Sequence, residues 1–280
     1  MQALLRYLPP SPPLRGWVRQ HQFVRLRFAP GWVVPVKPYW PRPAAALAFY
    51  PRDRERIGAG REAPSVSKPR AVLIGQPTLL TQRQLGADYS VYQIEFEPGA
   101  LHRLLGMPLD RLTDGWIDAE AAMPAGFRAL ADRIEDLDDP LAQREAAERF
   151  LLDWVADCQR PARPADRVAA ALLEGGGHDL DTLARRCGVS PRQLQRQSSE
   201  RLGVGPKLLA RIARFDRLVR AADRAGATPL LHLAVQAGYH DHQHLARDFR
   251  QFTLATPSEF LAWERAAPER RFGLSEPARA

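Results

Sequence analysis

Leu180-Asp181-Thr182-Leu183-Ala184-Arg185-Arg186-Cys187-Gly188 returns about 50 residues later as Leu230-Leu231-His232-Leu233-Ala234-Val235-Gln236-Ala237-Gly238. A second amphipathic segment follows each copy, carrying Leu194 and Arg196 in the first and Leu245 and Arg247 in the second. Apolar residues at i, i+3 and i+4 make one helix face, a small residue lets a second helix approach, and glycine supplies the backbone freedom of a tight turn. The repeat therefore predicts two helix-turn-helix units, and with them a partner: double-stranded DNA.

The second helix of the first unit carries its own start signal. Ser190 is a favoured N-cap, Pro191 sits at the first helical position where a missing N–H costs nothing, and Gln193 stands in capping-box position. With Leu194 turned inward, Arg192, Gln195 and Arg196 fall on the outer side. Arginine can bond guanine O6 and N7 through two donors, and glutamine can do the same for adenine N6 and N7. In the second unit Asp241 is the N-cap, and His242, Gln243 and Arg247 are the outward candidates around buried Leu245 and Phe249. A solvated Arg/Gln face is the bland reading of any one such helix; the duplication weighs against it. Between the units, Leu208, Leu209, Ile212, Phe215, Leu218 and Val219 recur at helical spacing and predict a spacer helix over residues 208–225. Two units on such a spacer would read major-groove segments about 34 Å apart.

The region from about Val168 to Trp263 resembles the DNA-binding domain of AraC/XylS-type bacterial transcriptional regulators. The resemblance is carried by Leu183-Ala184, Gly188, Ser190, Leu194-x-Arg196, Gly203-x-x-Pro206 and Arg214-Phe215, then Leu233-Ala234, Gly238-Tyr239, Leu245-x-Arg247-x-Phe249 and Thr256-Pro257. It implies base-contacting roles for Arg192, Gln195 and Arg196 in one unit and His242, Gln243 and Arg247 in the other. Two positions depart from the pattern. Ser198 replaces a core aromatic, which predicts a less well packed first recognition helix, and Leu254 replaces a glycine, which predicts strain if that position needs a positive φ.

Residues 1 to about 118 read as a small β-rich domain, with short apolar stretches at Phe23 to Phe28, Trp32 to Val36, Ala45 to Tyr50, Ala71 to Ile74 and Ser90 to Phe96, separated by Pro and Gly. Tyr92, Ile94 and Phe96 line one strand face. Ala100 to Leu105 reads as a short helix, and the polar stretch Arg52 to Lys68 as a long surface loop. Tyr7-x-Pro9, Gly75-Gln76, Ile94-x-Phe96-x-Pro98-Gly99-Ala100, Leu104-Leu105-Gly106-x-Pro108 and Leu112-Thr113-Asp114 resemble an uncharacterised cupin-like sensor domain found ahead of AraC-type DNA-binding domains. That resemblance implies an unknown small-molecule effector or a dimer contact.

Phe127 to Leu137 and Leu141 to Cys158 have helical periodicity and are separated by Asp138-Asp139-Pro140. They form a connector whose second helix is a candidate homodimer contact. Pro161-Ala162-Arg163-Pro164 reads as the interdomain linker. The expected fold class is thus α+β, with a β-rich sensor and connector over residues 1–160, an all-α DNA-binding domain over 165–266, and a flexible tail over 267–280.

The chain's 280 residues suffice for two domains, and its net charge of +8 suits an anionic partner. That charge is almost all Arg, with Lys only at Lys37, Lys68 and Lys207. The cysteines Cys158 and Cys187 lie in no metal-ligand spacing, and Cys187 matches the small Ala237 of the other unit. His240, His242 and His244 alternate along a helix, so neighbours point apart and share an ion poorly. His21 and His102 form no His-x-His pair. No metal, cofactor or catalytic residue is expected, and a repair enzyme with a nucleophilic thiol is disfavoured because no Cys precedes Cys158. No apolar run reaches the roughly 18 residues of a membrane span, which predicts a cytoplasmic protein without membrane contact. The expectation is a sequence-specific transcriptional regulator acting on RNA polymerase recruitment; the alternative is a nonspecific or architectural DNA-binding protein.

Overall fold

A computed structural model describes residues 2–34, 36–175, 179–224 and 229–266. The strands are β1 (Gln2–Leu8), β2 (Val18–Arg27), β3 (Val36–Tyr39), β4 (Ala46–Phe49), β5 (Arg56–Ala59), β6 (Val66–Ser67), β7 (Ala71–Ile74), β8 (Thr81–Gln84), β9 (Asp88–Phe96) and β10 (Trp116–Asp118). They make a six-stranded sheet in the order β1-β2-β9-β4-β7-β10 and a four-stranded sheet in the order β3-β8-β5-β6. Pairing within both sheets is antiparallel.

Strand alternation divides the larger sheet into two faces with different neighbours. Tyr92, Ile94 and Phe96 of β9, with Phe23, Leu47, Phe49 and Leu73, pack against α1 (Ala100–Leu105), α3 (Phe127–Asp136) and α4 (Pro140–Ala156). Tyr89 and Val91 join Leu26, Ala48, Tyr50 and Val72 on the opposite face. A short α2 (Ala119–Ala122) lies between α1 and α3 in the chain. Asp139 caps α4 by accepting from the Ala142 amide, and Pro140 occupies its first turn, so Asp138-Asp139-Pro140 ends one helix and begins the next.

Two expectations for this region are corrected. Trp32 and Val33 are exposed, and the strand expected over Trp32 to Val36 starts only at Val36, where β8 offers a partner. Residues 52–68 are not a surface loop: they hold β5 and β6. Glu55 and Lys68, charges that resemble solvated loop residues in sequence, pair with each other inside the barrel, both nearly inaccessible. Burial alone would raise the Glu55 carboxyl, but the Lys68 and Arg83 charges and hydrogen bonds from Lys68 and Tyr50 bring it down to about 2.

The C-terminal region is all helix: α5 (Pro164–Glu174), α6 (Leu180–Arg186), α7 (Pro191–Leu202), α8 (Pro206–Arg224), α9 (Leu230–Ala237), α10 (His242–Thr253) and α11 (Pro257–Ala266). Helix α8 is the spacer expected over 208–225; Ala225 lies outside the described residues, as does the tail 267–280. The stretch read as linker is partly ordered helix, since Pro164 opens α5. Two cores flank α8. Ala165, Val168, Ala169, Leu183, Leu194 and Leu209 form one, and Phe215, Phe249, Phe252, Phe260 and Tyr239 anchor the other.

Candidate nucleic-acid interface and adjoining cavity

Both recognition helices start where the sequence places them. The Ser190 side chain accepts from the Gln193 amide at 3.2 Å while the Gln193 side chain accepts from the Ser190 amide at 3.0 Å, the reciprocal capping box. Asp241 accepts from the His244 amide at 2.6 Å. Leu194 and Leu245 turn into their cores. Arg192, Gln195 and Arg196 are exposed on α7, and His242, Gln243 and Arg247 are exposed on α10. Each set occupies the first two turns of its helix. Gln195 lies along its own helix, its amide 3.3 Å from the Ser199 hydroxyl.

A buried carboxylate ties each recognition helix to its support. In unit one Arg201 of α7 donates to both oxygens of Asp166 on α5, at 2.7 and 2.6 Å. In unit two Asp248 of α10 is fully buried and accepts from Arg211 of α8 at 2.6 Å and from Tyr239 Oη at 3.1 Å. The Tyr239 phenol is consequently pushed well above its ordinary range, by burial first and by the Asp248 charge second. Sequence reading missed both pairs, since each joins residues more than 30 positions apart or on separate helices.

The two serine and leucine departures resolve differently. Leu254 has φ +55°, so the strain expected of a non-glycine there is present. Ser198, expected to leave a less well packed helix, is 1% exposed and so enclosed by its neighbours.

The histidines separate as helix geometry requires. His242 is exposed, whereas His244 packs edge-on to Tyr239 and lies 3.0 Å from Arg214. His21 is buried between Tyr92 Oη, 2.8 Å from Nδ1, and Glu148 Oε1, 3.0 Å from Nε2, a bond that staples α4 to the barrel. Among the described residues no group of three His, Cys, Asp or Glu is placed to hold a metal ion. Cys158 and Cys187 are free thiols, each half-buried.

Between the sheets lies a cavity of about 190 Å³ that opens toward α8. The barrel side contributes Tyr7, Val24, Tyr39, Arg42, Arg83 and the odd face of β9, including Gln93 and Glu95. The helical side contributes Asp216, Val219, Arg220 and Asp223 of α8. Sequence reading took only the even face of β9, Tyr92, Ile94 and Phe96, as informative. The signal for the cavity was the polar alternation it passed over, Gln93 and Glu95 among apolar neighbours.

Further contacts cross between the β domain and the helices. Trp40 meets Phe260 edge-on at 4.9 Å, Thr113 Oγ1 donates to the Gly203 carbonyl at 2.6 Å, and Arg61 donates to the Leu254 carbonyl at 2.7 Å. The 3-10 turn Leu109–Leu112 packs on α7.

Residues 183–262 match the family model described as a helix-turn-helix domain, which spans both units and α8. This part of the chain is therefore a helix-turn-helix domain. Residues 6–118 match a second family, a domain of unknown function, DUF6597. No curated protein matches the chain. Among solved structures, an apo single-residue variant of ToxT from Vibrio cholerae is similar at 10% identity and a TM-score of 0.48, with 91% of this chain and 99% of that one covered. ToxT bound to (E)-4-(8-methylnaphthalen-1-yl)but-3-enoic acid gives 10% identity and 0.47, covering 94% and 98%. The AraC-like transcriptional activator CuxR gives 16% identity and 0.31, covering 82% and 91%. No described helix is long and apolar enough to cross a membrane.

Proposed function

We propose that the protein is a transcriptional regulator of the AraC type that reads specific DNA sequences through Arg192, Gln195 and Arg196 of α7 and His242, Gln243 and Arg247 of α10, and responds to a small-molecule effector held in its N-terminal domain. The observation that carries the first half is the pairing of two capped helices, each with exposed donors in its first two turns and a buried Asp–Arg tie behind it. Nonspecific coating of DNA needs positive charge but no such bracing of side chains against base edges. The second half is supported by the cavity, whose wall is shared by the barrel and by α8, the helix that joins the two units.

The proposed division is a sensor and connector over 1–160 and a DNA-binding domain over 165–266, in a cytoplasmic protein that binds and does not catalyse. Pairing with a second copy through α4 is supported by Leu141 and Leu152, both exposed and eleven positions apart, close to three helical turns. Recruitment of RNA polymerase is the outcome proposed for DNA binding.

The test is a comparison of affinities of the full chain for a genomic site selected by the protein and for random DNA, over a range of salt. Replacing Arg192 or Arg196 by Ala should cost about ten- to hundredfold at the selected site and relax its preference at one or two positions. Equal loss on all sequences would show that these side chains only touch phosphates, and would overturn sequence reading.

A further inference from the structure

The cavity's charges are divided between the domains. Its barrel side brings Arg42, Arg83 and Lys37, and its one acid, Glu95, already receives Arg19 at 2.7 Å and Gln20 at 2.9 Å. The anions facing those cations, Asp216 and Asp223, come from α8, which also brings Arg220, the cation bound to Asp216. Arg42 shows the consequence. Burial would lower its pKa, yet it is raised, with Asp216 the largest favourable charge acting on it.

The unsatisfied hydrogen-bonding groups on this wall are donors. Trp40 Nε1 and Arg83 Nε are buried with no acceptor, and both residues line the cavity. A buried N–H without an acceptor costs free energy that an oxygen-rich guest restores. The remaining wall is apolar or aromatic, with Val24, Ile74, Val91, Val219, Tyr39 and Tyr89. A volume of roughly 150 Å³ holds a benzene ring, so this cavity accommodates an apolar body bearing a head group.

From this distribution, and resting on the effector reading above, we infer that the cavity takes a small organic acid whose carboxylate replaces Asp216 on Arg42, so that occupancy uncouples α8 from the barrel. Asp216 acts as an internal stand-in for the ligand. Its displacement leaves no stranded charge, because Arg220 already holds it at 2.7 Å within α8. The α8 helix carries Arg211, which positions α10, so the exchange of carboxylates is coupled to recognition in unit two.

The test uses one molecular body with three head charges: phenylacetate, phenylacetamide and 2-phenylethylamine, titrated calorimetrically into the full chain. Phenylacetate should bind about tenfold or more tighter than the other two. Asp216→Asn, which removes the competitor without shortening the side chain, should tighten phenylacetate by about tenfold and leave the amide unchanged. Arg42→Gln should abolish the preference for the acid. Hydrogen exchange in Pro206–Arg224 should quicken when phenylacetate binds the native protein, and should already be fast in Asp216→Asn. An amide or amine that binds as well as the acid, or Asp216→Asn that fails to tighten phenylacetate, overturns the inference while leaving an effector cavity in place. Binding of none of the three, in the native protein and in Asp216→Asn alike, overturns the inference and the effector reading together.

Discussion

The two helix-turn-helix units share a sequence pattern and are held together by different means. Unit two is braced from within by rings: Phe215 sits 5.0 Å from Phe249 and 5.3 Å from Phe252, and Phe249 sits 5.4 Å from Phe260. Unit one has no aromatic in its buried cluster, which is built from Ala, Val and Leu of α5 to α8. It borrows support from outside, through the Leu109–Leu112 turn on α7 and the Thr113 bond to Gly203. The two capped helices are thus backed by an aromatic core in one half, met by Trp40 of the β domain at its edge, and by an aliphatic core with β-domain contacts of its own in the other.

The largest expected effect that would break this comparison lies in the buried ion pairs. Asp166→Ala should destabilise the full chain by about 3–5 kcal/mol, because Arg201, 7% exposed, is left as an uncompensated buried charge. Asp248→Ala should cost less, since Arg211 is 28% exposed and keeps Gln251 at 2.6 Å. Urea denaturation of the two variants checks the ranking, and equal losses would mean that the pairs are held alike.

Next in size is the serine. Because Ser198 is already enclosed, Ser198→Phe should overpack the first core and cost about 1–3 kcal/mol. A rise in melting temperature would instead reveal an unfilled space behind α7. The smallest change sharpens the picture of unit two. Leu254→Gly should stabilise by about 1 kcal/mol, because the left-handed backbone at φ +55° disfavours a side chain and Leu254 is largely exposed. Lower stability would show that the leucine contributes more by contact than it loses by strain.

The C-terminal half was legible because its signals are local. Caps at Ser190 and Asp241, the helical spacing from Leu208 to Val219, and the glycine-bearing repeat each depend on residues within a turn or two of one another. The β domain was legible only where a strand is apolar. Thr81-Gln82-Arg83-Gln84 forms a strand with no apolar side chain, because it pairs with β3 and β5 and turns Arg83 into the cavity. Glu55 and Lys68 looked solvated because nothing in their local sequence announces that they meet across a sheet. The helical side of the cavity was invisible for the same reason: Arg42 and Asp216 come to line one cavity only when the β domain and α8 pack. Six recognition positions were named from the sequence, and the structure puts them on the exposed starts of α7 and α10.

Separate reading by two differently braced units is tested most directly by a hydroxyl-radical footprint of the full chain on its selected site. Two protected segments about 34 Å apart on one face of the duplex are expected. Arg192→Ala with Arg196→Ala should erase one segment and leave the other, while His242→Ala, Gln243→Ala and Arg247→Ala together should do the reverse. A single protected segment, or an equal weakening of both by either set, would contradict the account.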